Sequence, residues 1–182
     1  MLGVKIAVDH ILDKPLLLSF EEPVQSFQLL AEMQRDRCCK FNGPIRGEIS
    51  FVREFDHLRA TGTVSVPVAF SCSRCLVDYD SLIDCNFTIF FRKDVKDYID
   101  EDEIELGEQD LISSTYSGDE IDLTHEIEEQ VAMEIPLKPL CSQSCKGLCQ
   151  VCGIDLNSSQ CSCSNETVSL KFSALKDFKV SR

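Results

Sequence analysis

Apolar and polar side chains alternate from Ile45 to Phe91, and this period of two constrains the chain more than any other feature of its sequence. Ile45, Ile49, Phe51 and Phe55 share one parity, while Arg46, Glu48, Ser50 and Glu54 take the other. Leu58, Ala60, Val64, Val66, Val68 and Phe70 repeat the pattern, then Ile83, Cys85, Phe87, Ile89 and Phe91. Successive side chains of a strand point to opposite faces, so each run reads as a strand with one buried face. Three such runs with short connections predict an antiparallel meander.

From Asp122 the period becomes helical. Leu123, Ile127, Val131 and Ile135 recur every fourth residue, and Asp122 stands where a cap belongs. Glu126, Glu128 and Glu129 lie near the positive end, and Pro136 and Pro139 stop the helix. A helix with one apolar face laid on a sheet gives an α+β fold, either an antiparallel sheet or a partly closed barrel. The first 42 residues are less legible. Val4, Ile6 and Val8 alternate like a strand, whereas Phe27 to Met33 suits helix and strand alike. The expected division is an α+β domain over residues 1–140 and a cysteine-rich zinc-knuckle segment over 141–182 packed on it, with a short terminal helix over Phe172–Phe178. No internal repeat is evident.

Six of the eleven cysteines fall in residues 141–163, CSQSCKGLCQVCGIDLNSSQCSC. A chain of 182 residues buries a core without covalent help. It shows no signal-like start and no run of about 18–20 apolar residues, so a soluble, cytoplasmic protein without membrane contact is expected. Thiols stay reduced in that compartment, and dense cysteines there point to metal ligands. Cys149-Gln-Val-Cys152-Gly153 has the form of a zinc knuckle: the turn brings two thiolates to one ion, and Gly supplies the positive φ that the turn needs. Cys161 and Cys163, two residues apart, face one side of an extended segment and complete a four-thiolate set. Cys72 and Cys75, at the end of the second strand, then group with Cys141 and Cys145. The alternative allocation moves Cys145 into the second set in place of Cys161 or Cys163.

Structural Zn2+ is the expected ion, and an iron–sulfur cluster takes the same four donors. A thioredoxin-like centre at Cys72-Ser-Arg-Cys75, with Arg74 favouring a thiolate, is the oxidoreductase alternative. Its pair would open a helix after a parallel strand, whereas this one lies between antiparallel strands. Cys38, Cys39 and Cys85 read as small core hydrophobes. There is no phosphate loop, nucleophile elbow or zinc-protease motif, and His10, His57 and His125 are far apart. A closed four-thiolate site also leaves no position for an activated water, so neither catalysis nor a small-molecule substrate is expected.

Thirty-one acidic residues against 18 basic ones give a formal charge of −13, which repels phosphate backbones and attracts basic partners. Residues 94–110, DVKDYIDEDEIELGEQD, are the most acidic stretch. Arg35, Arg37 and Lys40, or Lys171, Lys176, Lys179 and Arg182, could form a local basic patch, though each group reads more simply as a solvated face.

Further landmarks lie between and around the cysteines. Val66-Pro67 leads to Cys72-Ser73-Arg74-Cys75-Leu76, and Asp122-Leu123 opens a helix ending at Ile135-Pro136-Leu137. Cys145-Lys-Gly-Leu-Cys149, Cys152-Gly-x-Asp-Leu156-Asn157 and Cys161-x-Cys163 follow. Over roughly residues 45–178 this resembles the YceD-like large ribosomal RNA subunit accumulation proteins, a bacterial and organellar family. The resemblance implies a role in biogenesis of the large ribosomal subunit and no catalytic activity, and it supports grouping Cys72 and Cys75 with Cys141 and Cys145. Together with the acidic charge it suggests a basic ribosomal protein or a large-subunit precursor as partner. Direct binding of rRNA through a zinc module is the alternative.

Overall fold

The computed structural model describes residues 3–12, 14–55, 57–94 and 113–163. The meander forms the centre: β4 (Ile45–Glu54), β5 (His57–Ser71) and β6 (Asp78–Lys93) pair antiparallel in sequence order. β2 (Leu16–Glu22) pairs antiparallel with β4 at one edge, and the two-residue β3 (Lys40–Phe41) pairs with the far end of β5. At the other edge β7 (Ser113–Tyr116) runs parallel to β6, an orientation that no alternation in the sequence announces. With β2 and β7 as its edges the sheet stays open and no barrel closes among the described residues. A separate two-stranded ribbon joins β1 (Lys5–Ala7) to β8 (Glu120–Asp122).

One face of the sheet carries the core. Ile49, Phe51, Leu58, Ala60, Val64 and Phe91 are buried there, while Thr61, Thr63, Asn86 and Thr88 on the opposite face are exposed. Phe55, expected to continue the β4 core face, lies just past the strand end and is fully exposed. Cys39 and Cys85 are buried as expected, but Cys38 is exposed. Among the described residues no helix is long and apolar enough to cross a membrane. The expected terminal helix over Phe172–Phe178 and most of the acidic stretch lie outside the described residues.

Helix α2 (Thr124–Glu134) packs on β5 and β6 through Ile127 and Val131, and α1 (Gln28–Arg35) packs on α2. Asp122 accepts the N–H of Thr124 at 3.0 Å, as its position before the helix suggests. Glu128 does something the sequence hides. It points inward, 8% exposed, and its carboxylate accepts the Leu29 N–H at 2.9 Å. The first turn of α1 has orphan N–H donors, and its N-cap Phe27 has no side chain that can accept from them. A residue of α2 therefore caps α1 across 99 positions of sequence. Removing that acceptor leaves a partly buried donor unpaired, so Glu128→Ala should lower stability by about 1–3 kcal/mol in urea unfolding. Exposed Glu129 caps nothing in α1, and Glu129→Ala should change stability far less.

Candidate metal centres

The eight cysteines picked out by spacing gather into two compact groups of sulfurs. Cys72, Cys75, Cys141 and Cys145 form one; Cys149, Cys152, Cys161 and Cys163 form the other. In each group the four sulfurs lie within 4.8 Å of one another. Cys145 sits in the first group, so the alternative allocation is not the arrangement seen.

Each group is built on the same turn. In the first, the Leu76 N–H donates to the Cys72 carbonyl at 2.9 Å and the Cys72 N–H to the Val77 carbonyl at 3.0 Å. In the second, the Gly153 N–H donates to the Cys149 carbonyl at 2.9 Å and the Cys149 N–H to the Ile154 carbonyl at 2.8 Å. The leading sulfur of each accepts a backbone N–H at 3.5 Å, from Arg74 and from Val151 respectively. The chain thus contains one six-residue turn twice, a repetition masked by the change from Leu76 to Gly153. Both residues adopt positive φ, 60° and 74°.

The first group is a clamp. Cys72 and Cys75 sit on the β5–β6 connection, and Cys141 and Cys145 come from the segment after α2. Its sulfurs draw two residues from each side of residue 140, the boundary expected from the sequence. Cys72 and Cys145 sulfurs are 3.8 Å apart and those of Cys75 and Cys141 3.6 Å. A disulfide requires about 2.05 Å, whereas a tetrahedral ion with metal–sulfur bonds of about 2.3 Å has edges of about 3.8 Å. Backbone contacts reinforce the clamp. The Ser73 N–H donates to the Pro139 carbonyl at 2.8 Å and the Leu148 N–H to the Arg74 carbonyl at 3.1 Å. Gly147, at φ +75°, passes so close to Arg74 that a Cβ there would meet the Arg74 carbonyl oxygen at 2.9 Å. Arg74 itself donates its guanidinium to the carbonyls of Cys145, at 2.8 Å, and Gln143, at 3.5 Å. It braces the facing backbone, a role that its place inside the cysteine pair did not disclose.

The electrostatics suit a cation. Backbone N–H groups of Cys141 and then Cys75 draw the Cys72 thiol down to about 6, and those of Cys152 and Val151 do the same for Cys149, also to about 6. Neighbouring sulfurs work the other way: Cys75, together with burial and Cys145, pushes Cys141 up to about 12, and Cys152 with burial pushes Cys163 up to about 12. Each group yields its first thiolate easily and resists its last, because like charges crowd. A divalent cation removes that repulsion, so these donor sets fit a tetrahedral metal such as Zn2+. Cys72 and Cys75 are buried and stand at a strand end, a poor setting for the accessible thiol an oxidoreductase needs. His125 points its ring nitrogens at Glu128 and Glu129 of its own helix, at 3.3 and 3.2 Å, so it offers the sulfurs no help.

The comparisons with known proteins follow the same residues. A family model described as large ribosomal RNA subunit accumulation protein YceD matches residues 60–179. A chloroplastic protein of Arabidopsis thaliana named large ribosomal RNA subunit accumulation protein YCED homolog 1 is 27% identical over 143 residues, covering 68% of this chain and 44% of its own length. The Zea mays protein of that name is 28% identical over 151 residues, covering 69% and 50%. An uncharacterized protein of Mycobacterium tuberculosis is 34% identical over 98 residues, covering 54% and 44%. The chain thus spans about half the length of the relatives it matches. No solved structure matches.

Leu76 supplies a test of the shared turn. Its side chain is 67% exposed and contributes little packing, yet its backbone adopts the left-handed conformation that costs an L-residue roughly 1–2 kcal/mol. Leu76→Gly should therefore stabilise the protein by about 1 kcal/mol in thermal or urea unfolding, and Gly153→Ala should destabilise it by a similar amount.

Proposed function

Because this chain belongs to the family of large ribosomal RNA subunit accumulation proteins named YceD, we propose that it supports accumulation of the large-subunit rRNA as a non-catalytic assembly factor, its C-terminal segment ordered by two metal ions. The family match over residues 60–179, which contains all eight clustered cysteines, carries this reading. Cys72, Cys75, Cys141 and Cys145 would hold one ion, and Cys149, Cys152, Cys161 and Cys163 the other. Bound metal would relieve the repulsion among the thiolates and fix the segment after Pro139. Four sulfur donors fill a tetrahedral ion, which supports a structural and not a hydrolytic role.

The partner suggested by charge is a basic ribosomal protein, free or on a large-subunit precursor. Exposed Glu129 and Glu134 on α2 and a net charge of −13 favour lysine- and arginine-rich surfaces over RNA phosphates. Sedimentation of lysate through sucrose at modest salt tests it. The protein should migrate with fractions containing large-subunit rRNA precursors, or at the top in complex with a basic ribosomal protein. Free protein alone at the top, together with normal large-subunit rRNA after its depletion, would overturn the reading. Elemental analysis of protein purified under reducing conditions should find two metal ions per chain, falling by one in Cys75→Ser and by one in Cys152→Ser. Metal content should also fall on acidification, since protons compete with metal for thiolates.

A further inference from the structure

A side chain that lies in sequence between ligands of the second sulfur group reaches a sulfur of the first. Asn157 belongs to the stretch between Cys152 and Cys161, so the ligands of the second group bracket it on both sides. Its amide nitrogen, however, donates at 3.4 Å to Cys145 Sγ, a sulfur of the first group. The amide is held in that orientation. Its oxygen accepts the Lys146 N–H at 2.8 Å, and its nitrogen also donates to Asp155 Oδ1 at 2.7 Å. Asp155 is fixed in turn by the bridge between Leu148 and Asp155, and the neighbouring Leu156 N–H donates to the Gly147 carbonyl at 2.9 Å.

We propose that Asn157 couples the two metal–thiolate centres, so that filling the second raises the affinity of the first. The proposal rests on the reading that both groups take metal. Metal at the second centre pins the stretch that carries Asn157 at its two ends. The pinned amide then offers a ready N–H to a sulfur whose charge it stabilises, without the entropy cost of ordering the loop. Coupling of binding is reciprocal, so metal at the first centre favours the second by the same factor. Partners of metal ligands that are not ligands themselves are typically worth about 10–100-fold in affinity. Asn157 is thus a positioning residue for Cys145.

The full chain loaded with cadmium tests this, because the nuclear resonance of bound cadmium gives a line for each centre. The line lost in Cys75→Ser belongs to the first. In Asn157→Ala that line should shift, and a competing chelator should strip the first centre at about tenfold lower concentration. Asn157→Asp keeps the acceptor for Lys146 but sets a carboxylate oxygen against the sulfur, and should weaken the first centre at least as much. Cys161→Ser with Cys163→Ser should weaken the first centre about tenfold in the parent chain and add nothing in Asn157→Ala. An unmoved line and affinity in Asn157→Ala, or equal weakening by second-centre loss in both backgrounds, would overturn the proposal. A chain that binds no cadmium at all would instead overturn the metal reading beneath it.

Discussion

The gathering of eight cysteine sulfurs into two compact groups is what the described chain after Pro139 is arranged around. Beyond Pro139 the described chain has little hydrophobic material to fold around: Val151 and Ile154 are exposed, and the buried side chains are mainly Cys145 and Cys149. Such a segment gains too little from apolar burial to offset the entropy of ordering its backbone. Cys72 and Cys75 bring that segment to the end of a long hairpin, where Tyr79, Leu140 and Leu148 close around the sulfurs in a small cluster beside the main core, Tyr79 packing against both. The sulfurs thus stand where a larger domain would place a second hydrophobic core.

The two halves of the molecule differ in how openly the sequence declares them. Alternation from Ile45 to Phe91 revealed the meander because one face meets the core and the other meets water. The helix at Thr124–Glu134 was legible for the same reason, with Ile127 and Val131 on its buried side. Signals failed where a residue's environment comes from far along the chain. Glu128 looks like a charge favouring its own helix, and only the approach of α1 turns it into a cap. Residues 27–33 were ambiguous because this short helix is anchored by α2 and by that distant carboxylate, not by a cap of its own. Phe55 kept the parity of a strand that had already ended.

At the candidate site, spacing was enough to identify the donors, since a knuckle is a local object: two cysteines, a tight turn and a residue of positive φ. The supporting residues were not local. Arg74 braces carbonyls about 70 positions away, and Asn157 reaches a sulfur of the other group. The repeated turn is hidden in the sequence because Leu76 breaks the cysteine-glycine signature that Gly153 displays.

The parallel pairing of β7 with β6 fixes more than a strand. β6 ends at Lys93, where the Asp94 N–H bonds the Tyr116 carbonyl, and β7 begins at Ser113 opposite Phe90. The described chain on either side of residues 95–112 therefore stands at one edge of the sheet, Asp94 beside Tyr116 and Ser113 beside Phe90. A parallel neighbour cannot be reached by a tight turn and needs a connection of about a dozen residues or more, so the length of sequence between Lys93 and Ser113 is what this edge of the sheet requires.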